Sequence, residues 1–302
     1  MLKFDLDEFE AKKTPDDQIE VVETDSPTFN RMLGGGLRTG NLYVLQAKSG
    51  EGKTTFMMRL FINCLLAGKK VAFISAGEQS AKEIICRIAC MYYRINYESY
   101  ELDNTDEQCE KINKFVEKYK DLMYVYYSED LLLIHSNEEG QSTSDLKEFF
   151  LEIKRESVKF VFLDYLGAIY SNTAESQYSF LRRVAAKLKN KCTDNNIMIF
   201  TATQTNRLLP PALKEPNLDL TSVNQTYMQD SIGPWVKASC CLSLFTYFGK
   251  TYINIFKNRT VGRKGEGAFQ IVIRDEDYRY DWYEPGEWDL EGKRNQKNLL
   301  QR

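Results

Sequence analysis

Ala47-Lys48-Ser49-Gly50-Glu51-Gly52-Lys53-Thr54-Thr55 is the stretch that decides the fold of this chain. A short apolar strand, Leu42 to Leu45, leads into it. Met57, Leu60, Phe61, Cys64 and Leu65 follow at helical spacing. Strand, Gly-Lys-Thr loop and helix in that order make a phosphate-binding loop, with Ala47 where glycine is more usual. Backbone N–H groups at the helix start converge on phosphate oxygens, aided by the positive end of the helix dipole. Gly50 and Gly52 give the backbone its close approach. Lys53 reaches the β- and γ-phosphates, and the Thr54 hydroxyl ligates Mg²⁺. The nucleotide-binding candidates are therefore Ala47, Ser49, Gly50, Glu51, Gly52, Lys53, Thr54 and Thr55.

Composition narrows the setting. The 302 residues are 43% hydrophobic, enough for one large or two modest domains with a sizeable core. A net charge of −3 advertises no global basic field for nucleic acid, although a few loops can concentrate positive charge locally. The seven cysteines (64, 86, 90, 109, 192, 240 and 241) form no CxxC pair, and His135 is the single histidine. A zinc site is not expected, and the cysteines read as reduced small hydrophobes of a cytoplasmic protein. The start, Met1 to Glu8, is too acidic for a signal peptide, and no apolar run is long enough for a membrane span.

Along the chain, strands alternate with helices. Val71–Ala76 is an apolar strand ending at Gly77-Glu78, and a long helical region covers about 80 to 120. Met123–Tyr127 is a strand, Leu146 to about Glu156 a helix, and Lys159–Leu163 a buried strand ending at Asp164. A helix from about 177 to 192 precedes the strand Asn196–Thr201. This alternation predicts right-handed βαβ units and a mainly parallel sheet covered on both faces. Leu208–Gln225, with three prolines, reads as a long loop. Cys240–Phe245, Thr251–Phe256 and Ala268–Ile273 suit a C-terminal β-meander. The expected fold is α/β: an N-terminal arm over 1–25, one domain over 26–284, and a charged tail over 285–302.

Phe160-Val161-Phe162-Leu163 delivers Asp164 at the carboxyl end of a strand, where ligands of open α/β sheets sit. Asp164 can hold Mg²⁺ through its water shell. The next residue, Tyr165, is not the glutamate that AAA+ and ABC-type ATPases use to activate water. A base must come from elsewhere, and Glu78, past the end of the neighbouring apolar strand, is the best candidate. Lys257 and Arg259 sit two apart on a strand, a spacing that places both on one face.

These features together resemble the RecA-type ATPases, most closely the ATPase domain of DnaB-type replicative helicases, over roughly residues 25 to 275. Leu33-Gly34-Gly35-Gly36-Leu37-Arg38-Thr39-Gly40 is similar to that family's approach to the phosphate loop. Ser75-Ala76-Gly77-Glu78-Gln79-Ser80 resembles its strand-then-glutamate motif, and Asp164-Tyr165-Leu166 its Asp-Tyr-Leu. Thr203-Gln204-Thr205-Asn206-Arg207 resembles its Ser-Gln-x-Asn-Arg motif, and Lys257-Asn258-Arg259 its Lys-x-Arg pair. Leu208-Leu209-Pro210-Pro211 and Gly233-Pro234-Trp235 depart from the family pattern.

The resemblance implies a RecA-like ATPase that hydrolyses ATP with Mg²⁺ and translocates on single-stranded DNA as a hexameric ring. It implies that Glu78 orients water and that Gln204 senses the γ-phosphate. Lys257 and Arg259 would enter the neighbouring subunit's site. Loops at about 166–177 and 208–231 would line a channel, with Arg207 or Lys214 on DNA phosphates. A separate primase or loader, and a phage or plasmid replicon, suit a chain with so little ahead of the match. A recombinase or mediator filament, or a signalling ring, is the competing expectation. The base pocket is left to the aromatics Tyr278, Tyr280, Trp282 and Tyr283.

Overall fold

Apolar runs of five to seven residues become strands buried on both faces, because helices cover the sheet above and below. The computed structural model describes residues 18–76, 79–128, 135–136, 142–143, 145–169, 177–206, 209–216, 218–227, 233–260, 269–274 and 280–282.

The chain opens with β1 (Val21–Val22), α1 (Pro27–Leu33) and β2 (Leu37–Arg38). Ser26 caps α1 by accepting the Phe29 N–H at 3.0 Å, and Pro27 sits in the first turn, where no N–H is missed. β1 pairs antiparallel with β2, and Val22 is 1% exposed. A Cβ on Gly36 would lie 2.2 Å from the Val22 carbonyl oxygen, so β1 packs directly on that glycine. Residues 18–25 therefore belong to the folded body, which corrects the expected boundary after residue 25; residues 1–17 lie outside the described residues.

β3 (Leu42–Ala47), α2 (Lys53–Leu66) and β4 (Val71–Ala76) follow as expected. The region read as one long helical stretch is three helices, α3 (Ala81–Tyr93), α4 (Tyr97–Leu102) and α5 (Asp106–Tyr119). Arg94 ends α3 in the left-handed conformation, Asn96 caps α4, and Thr105 with Gln108 forms a capping box on α5. Next come β5 (Met123–Ser128), the small antiparallel pair β6 (His135–Ser136) and β7 (Ser142–Thr143), α6 (Asp145–Arg155), β8 (Phe160–Asp164), α7 (Gln177–Asp194) and β9 (Met198–Gln204). The stretch expected as a plain loop holds α8 (Leu209–Ala212) and two 3₁₀ turns, Leu220–Ser222 and Gln225–Tyr227. The chain continues through α9 (Gly233–Lys237), β10 (Cys240–Tyr247), β11 (Lys250–Asn258), β12 (Phe269–Arg274) and β13 (Tyr280–Trp282).

One sheet of nine strands runs β13-β12-β11-β10-β3-β9-β8-β4-β5. The strands from β10 to β5 pair in parallel, and β10 to β13 form the antiparallel meander. Alternation sorts each strand's residues between two cores. Tyr43, Phe73, Phe162 and Phe200 face α2, α3 and α5; Val44, Ile74, Leu163 and Ile199 face α6 and α7. On the first face the rings of Phe73, Phe162, Phe200 and Tyr43 stack in succession at 6.5, 5.9 and 5.8 Å between centroids, tying β4, β8, β9 and β3 together. The parallel strands β3, β9 and β8 consequently deliver Ala47, Gln204 and Asp164 to one edge of the sheet.

Candidate active site

Gly52, at φ +83°, turns the chain out of the loop and into α2, which starts at Lys53 with no side chain capping its first N–H groups. The positive end of the helix dipole there favours an anion at the loop. Residues 48–50 are exposed, while Ala47 is fully buried at the end of β3. The Lys53 ammonium donates to the Lys48 carbonyl at 3.3 Å and so lies along the loop it serves.

The Thr54 hydroxyl donates to Asp164 Oδ2 at 2.6 Å, and Asp164 is 9% exposed. Two hard oxygens at the first turn of a helix, beside the loop, suit a magnesium ion that keeps most of its water and takes one or two protein ligands. On β9, between β3 and β8, Gln204 is half-buried, and the following Thr205 N–H donates to the Ala47 carbonyl at 3.1 Å. Glu51, within the loop, accepts from the Thr246 hydroxyl at 2.6 Å. Glu78, the expected base, and Arg207 lie outside the described residues; Lys214 is described and exposed.

Lys257 and Arg259, the expected pair, differ in burial. The β10–β11 register shift falls between Ile255 and Lys257; past it Lys257 and Asn258 lie against Cys241 and Cys240, and Arg259 follows just beyond the end of β11. Lys257 is 7% exposed. Its ammonium donates to the Trp235 carbonyl and, at 3.2 Å, to that of Val236, and sits 5.3 Å from the Trp235 ring centroid. The Gly233-Pro234-Trp235 departure is thus the partner of Lys257. Arg259 is exposed. Its N–H donates to the Ser239 carbonyl at 2.7 Å, and Ser239 N–H donates to the Leu42 carbonyl at 2.8 Å. Arg259 therefore stands at the edge where β3 begins, opposite the edge where β3 enters the phosphate loop.

A polar row that sequence reading missed crosses the sheet just below the loop. Thr203, Gln46, Ser243 and Asn254 are register neighbours on β9, β3, β10 and β11, and each is at most 3% exposed. Gln46 Nε2 donates to Ser243 Oγ and to the Asn224 carbonyl, both at 2.6 Å. Ser243 Oγ donates to the Val223 carbonyl at 2.6 Å, and Asn254 Nδ2 to the Thr221 and Val223 carbonyls at 3.1 and 3.2 Å. Asn206 adds its N–H to the Tyr227 carbonyl at 2.6 Å and its amide to that of Thr226 at 2.7 Å. The segment 221–227 is latched to the phosphate-loop strand by side chains. The available signal was a glutamine inside an otherwise apolar strand.

A parallel sheet in which β3 turns through a Gly-Lys-Thr loop into α2, with an acid ending β8 and a meander beyond β10, defines a RecA-like P-loop fold. The chain belongs to the DnaB-like helicase C-terminal domain family, whose model matches residues 21–219. The ATPase domain of G40P superposes with a TM-score of 0.70 at 16% identity, covering 89% of this chain and 94% of that one. A structure described as a DnaB-like replicative helicase and its interactions with primase gives 0.69 at 16%, covering 86% and 61%. The replicative DNA helicase DnaB of Helicobacter pylori is 25% identical over 221 residues, 72% of this chain and 42% of that protein. The DNA repair protein RadA of Listeria monocytogenes is 38% identical over 78 residues, 24% of this chain and 17% of that protein. The chain thus spans less than half the length of these curated relatives. Among the described residues, no helix is long and apolar enough to cross a membrane.

Proposed function

We propose that this chain is the ATP-hydrolysing motor of a DnaB-like helicase, moving along single-stranded DNA as a ring of copies. The observation that carries the ring is the placing of Arg259. Cys240 pairs with Tyr43 at the start of β3, and Arg259 follows the Cys240–Asn258 pair. Lys48 is five residues further along β3, about 16 Å at a strand's rise per residue. A copy does not reach its own phosphates with its own Arg259, whereas a neighbour's Arg259 can approach them.

In this reading Lys53 and the α2 N-terminus bind the triphosphate. Thr54 and Asp164 hold Mg²⁺, which when bound neutralises charge on the β- and γ-oxygens. Glu78 orients the attacking water and Gln204 senses the γ-phosphate beside it. Arg259 of the next copy meets the charge that develops on the transferring group, while Lys257 positions α9 in its own copy. Gln204 and Asn206 are two residues apart, so a change at the γ-phosphate reaches the 221–227 segment through Asn206 and the polar row. Arg207 and Lys214 would meet DNA phosphates, a contact that is electrostatic and independent of sequence. A primase or a loader would be a separate chain.

A forked DNA duplex incubated with the protein, ATP and Mg²⁺ tests this: strand displacement that Lys53→Ala abolishes is expected. The local identity to RadA favours one other reading, a RecA-like ATPase of recombination. ATP-dependent strand exchange without displacement would replace the helicase reading with that one.

A further inference from the structure

Phe248 carries two costs that the fold does not require of it. Tyr247 pairs with Lys250, so Phe248 and Gly249 are the two-residue turn joining β10 to β11. Both have positive φ, 46° and 74°. Such a mirror-image turn favours Asn-Gly, and a bulky residue in its first position is an outlier. Phe248 is also 66% exposed, among the most exposed large apolar side chains described. Its ring stands edge-on to Tyr247, 4.6 Å between centroids at 86°, which fixes its orientation and leaves its bulk in solvent.

The turn's place gives this a direction. β10 runs parallel to β3, so its end leaves the sheet at the same edge as the phosphate loop. Thr246, two residues before Phe248, is hydrogen-bonded to Glu51 of the loop. Asp164 and Gln204 lie on β8 and β9, on one flank of β3, and β10 lies on the other. In the nucleotide-binding reading, the metal-bearing end of the triphosphate would face Asp164 beside Thr54. The nucleoside end would then leave over the opposite flank, where the β10–β11 turn stands.

We propose that Phe248 is a stacking platform for the nucleobase of the nucleotide held by the phosphate loop, an inference that rests on the nucleotide-binding reading of residues 47–55. Stacking uses the π-face that every base offers, and the larger purines gain most from it. The contact adds affinity for a purine nucleotide without discriminating adenine from guanine.

Phe248→Asn separates the roles, because it supplies the residue the turn prefers while removing the ring. Its melting temperature is expected to rise. Its Kd for a non-hydrolysable ATP analogue with Mg²⁺ should weaken about 10-fold, the scale of losing one base–aromatic stack. Binding of inorganic tripolyphosphate, which has no base, should stay unchanged, and Phe248→Tyr should keep the wild-type affinity for the analogue. Unchanged analogue affinity in Phe248→Asn, or an equal loss for tripolyphosphate, overturns the inference and leaves the phosphate loop's role standing. A wild-type protein that binds neither ligand overturns the nucleotide reading and this inference with it.

Discussion

The Thr54 hydroxyl and the Asp164 carboxylate, 110 positions apart in sequence, meet at 2.6 Å beside the first turn of α2. Parallel pairing of β3, β9 and β8 makes that meeting, because it ends these strands at one edge. In the proposed function these two oxygens hold Mg²⁺. Asp164→Asn should keep the fold and lower Mg²⁺-dependent ATP turnover by about 10²-fold, as when one electrostatic element of a transition state is removed. Steady-state hydrolysis across a Mg²⁺ titration reads this, and turnover near wild type would remove Asp164 from the metal site.

Lys257 and Arg259 should separate by assay. Lys257→Ala leaves the Trp235 and Val236 carbonyls without their donor and should cost about 1–3 kcal/mol in urea denaturation. Exposed Arg259 should change stability by no more than about 0.5 kcal/mol when truncated to alanine. The same substitution should cut turnover by about 10³-fold, the lower end for an arginine supplied in trans. A stability loss at Arg259 with intact turnover would reverse the two assignments.

The polar row predicts a local effect far along the chain from the substitution. Ser243→Ala removes the donor to Val223 and the acceptor of Gln46. It should cost about 1–3 kcal/mol, because buried partners are left unpaired. Amide exchange over residues 221–227 should speed up more than exchange in β10 itself. Uniform exchange across both would mean that the row does not latch the segment.

Stability should fall in alkali. Burial raises the thiols of Cys90, Cys192 and Cys241 from 9.0 to about 12, with Lys257 and Arg259 pulling Cys241 back only in part. Below pH 9.0 both folded and unfolded chains keep these protons, and this stability is fully present. Between pH 9.0 and about 12 the unfolded chain releases them first, so stability is lost as pH rises through the folded values. Urea midpoints measured upward from pH 8.5 should decline, and a flat profile would contradict the burial of these thiols.

Much of the sheet could be read from sequence because its strands are continuous apolar runs ending in Gly, Asp or Gln, and Asp164 declares itself as a carboxylate after such a run. The burial of Lys257 beside an exposed Arg259 was not legible, because the Trp235 and Val236 carbonyls that hold Lys257 lie about 20 residues away in sequence. The division of 80–120 into α3, α4 and α5 depended on short polar caps, Asn96 and Thr105, within an otherwise helical composition. The row through Gln46, Ser243 and Asn254 was hidden because its partners are backbone carbonyls about 180 residues from Gln46 and about 20 to 30 from the others. Phe248 could have been seen as an odd residue before Gly249, but only the pairing of Tyr247 with Lys250 shows that the two form the whole turn.

The most direct measurement is ATP turnover by rings assembled from a mixture of Lys53→Ala and Arg259→Ala subunits. Each variant alone should be almost silent, one lacking the phosphate lysine and the other the arginine for its neighbour. In a random equal mixture, about a quarter of interfaces regain an intact Lys53 facing an intact Arg259, and turnover should reappear in proportion. Turnover no greater than the sum of the two separate variants, with mixed rings verified, would contradict a nucleotide site shared between copies.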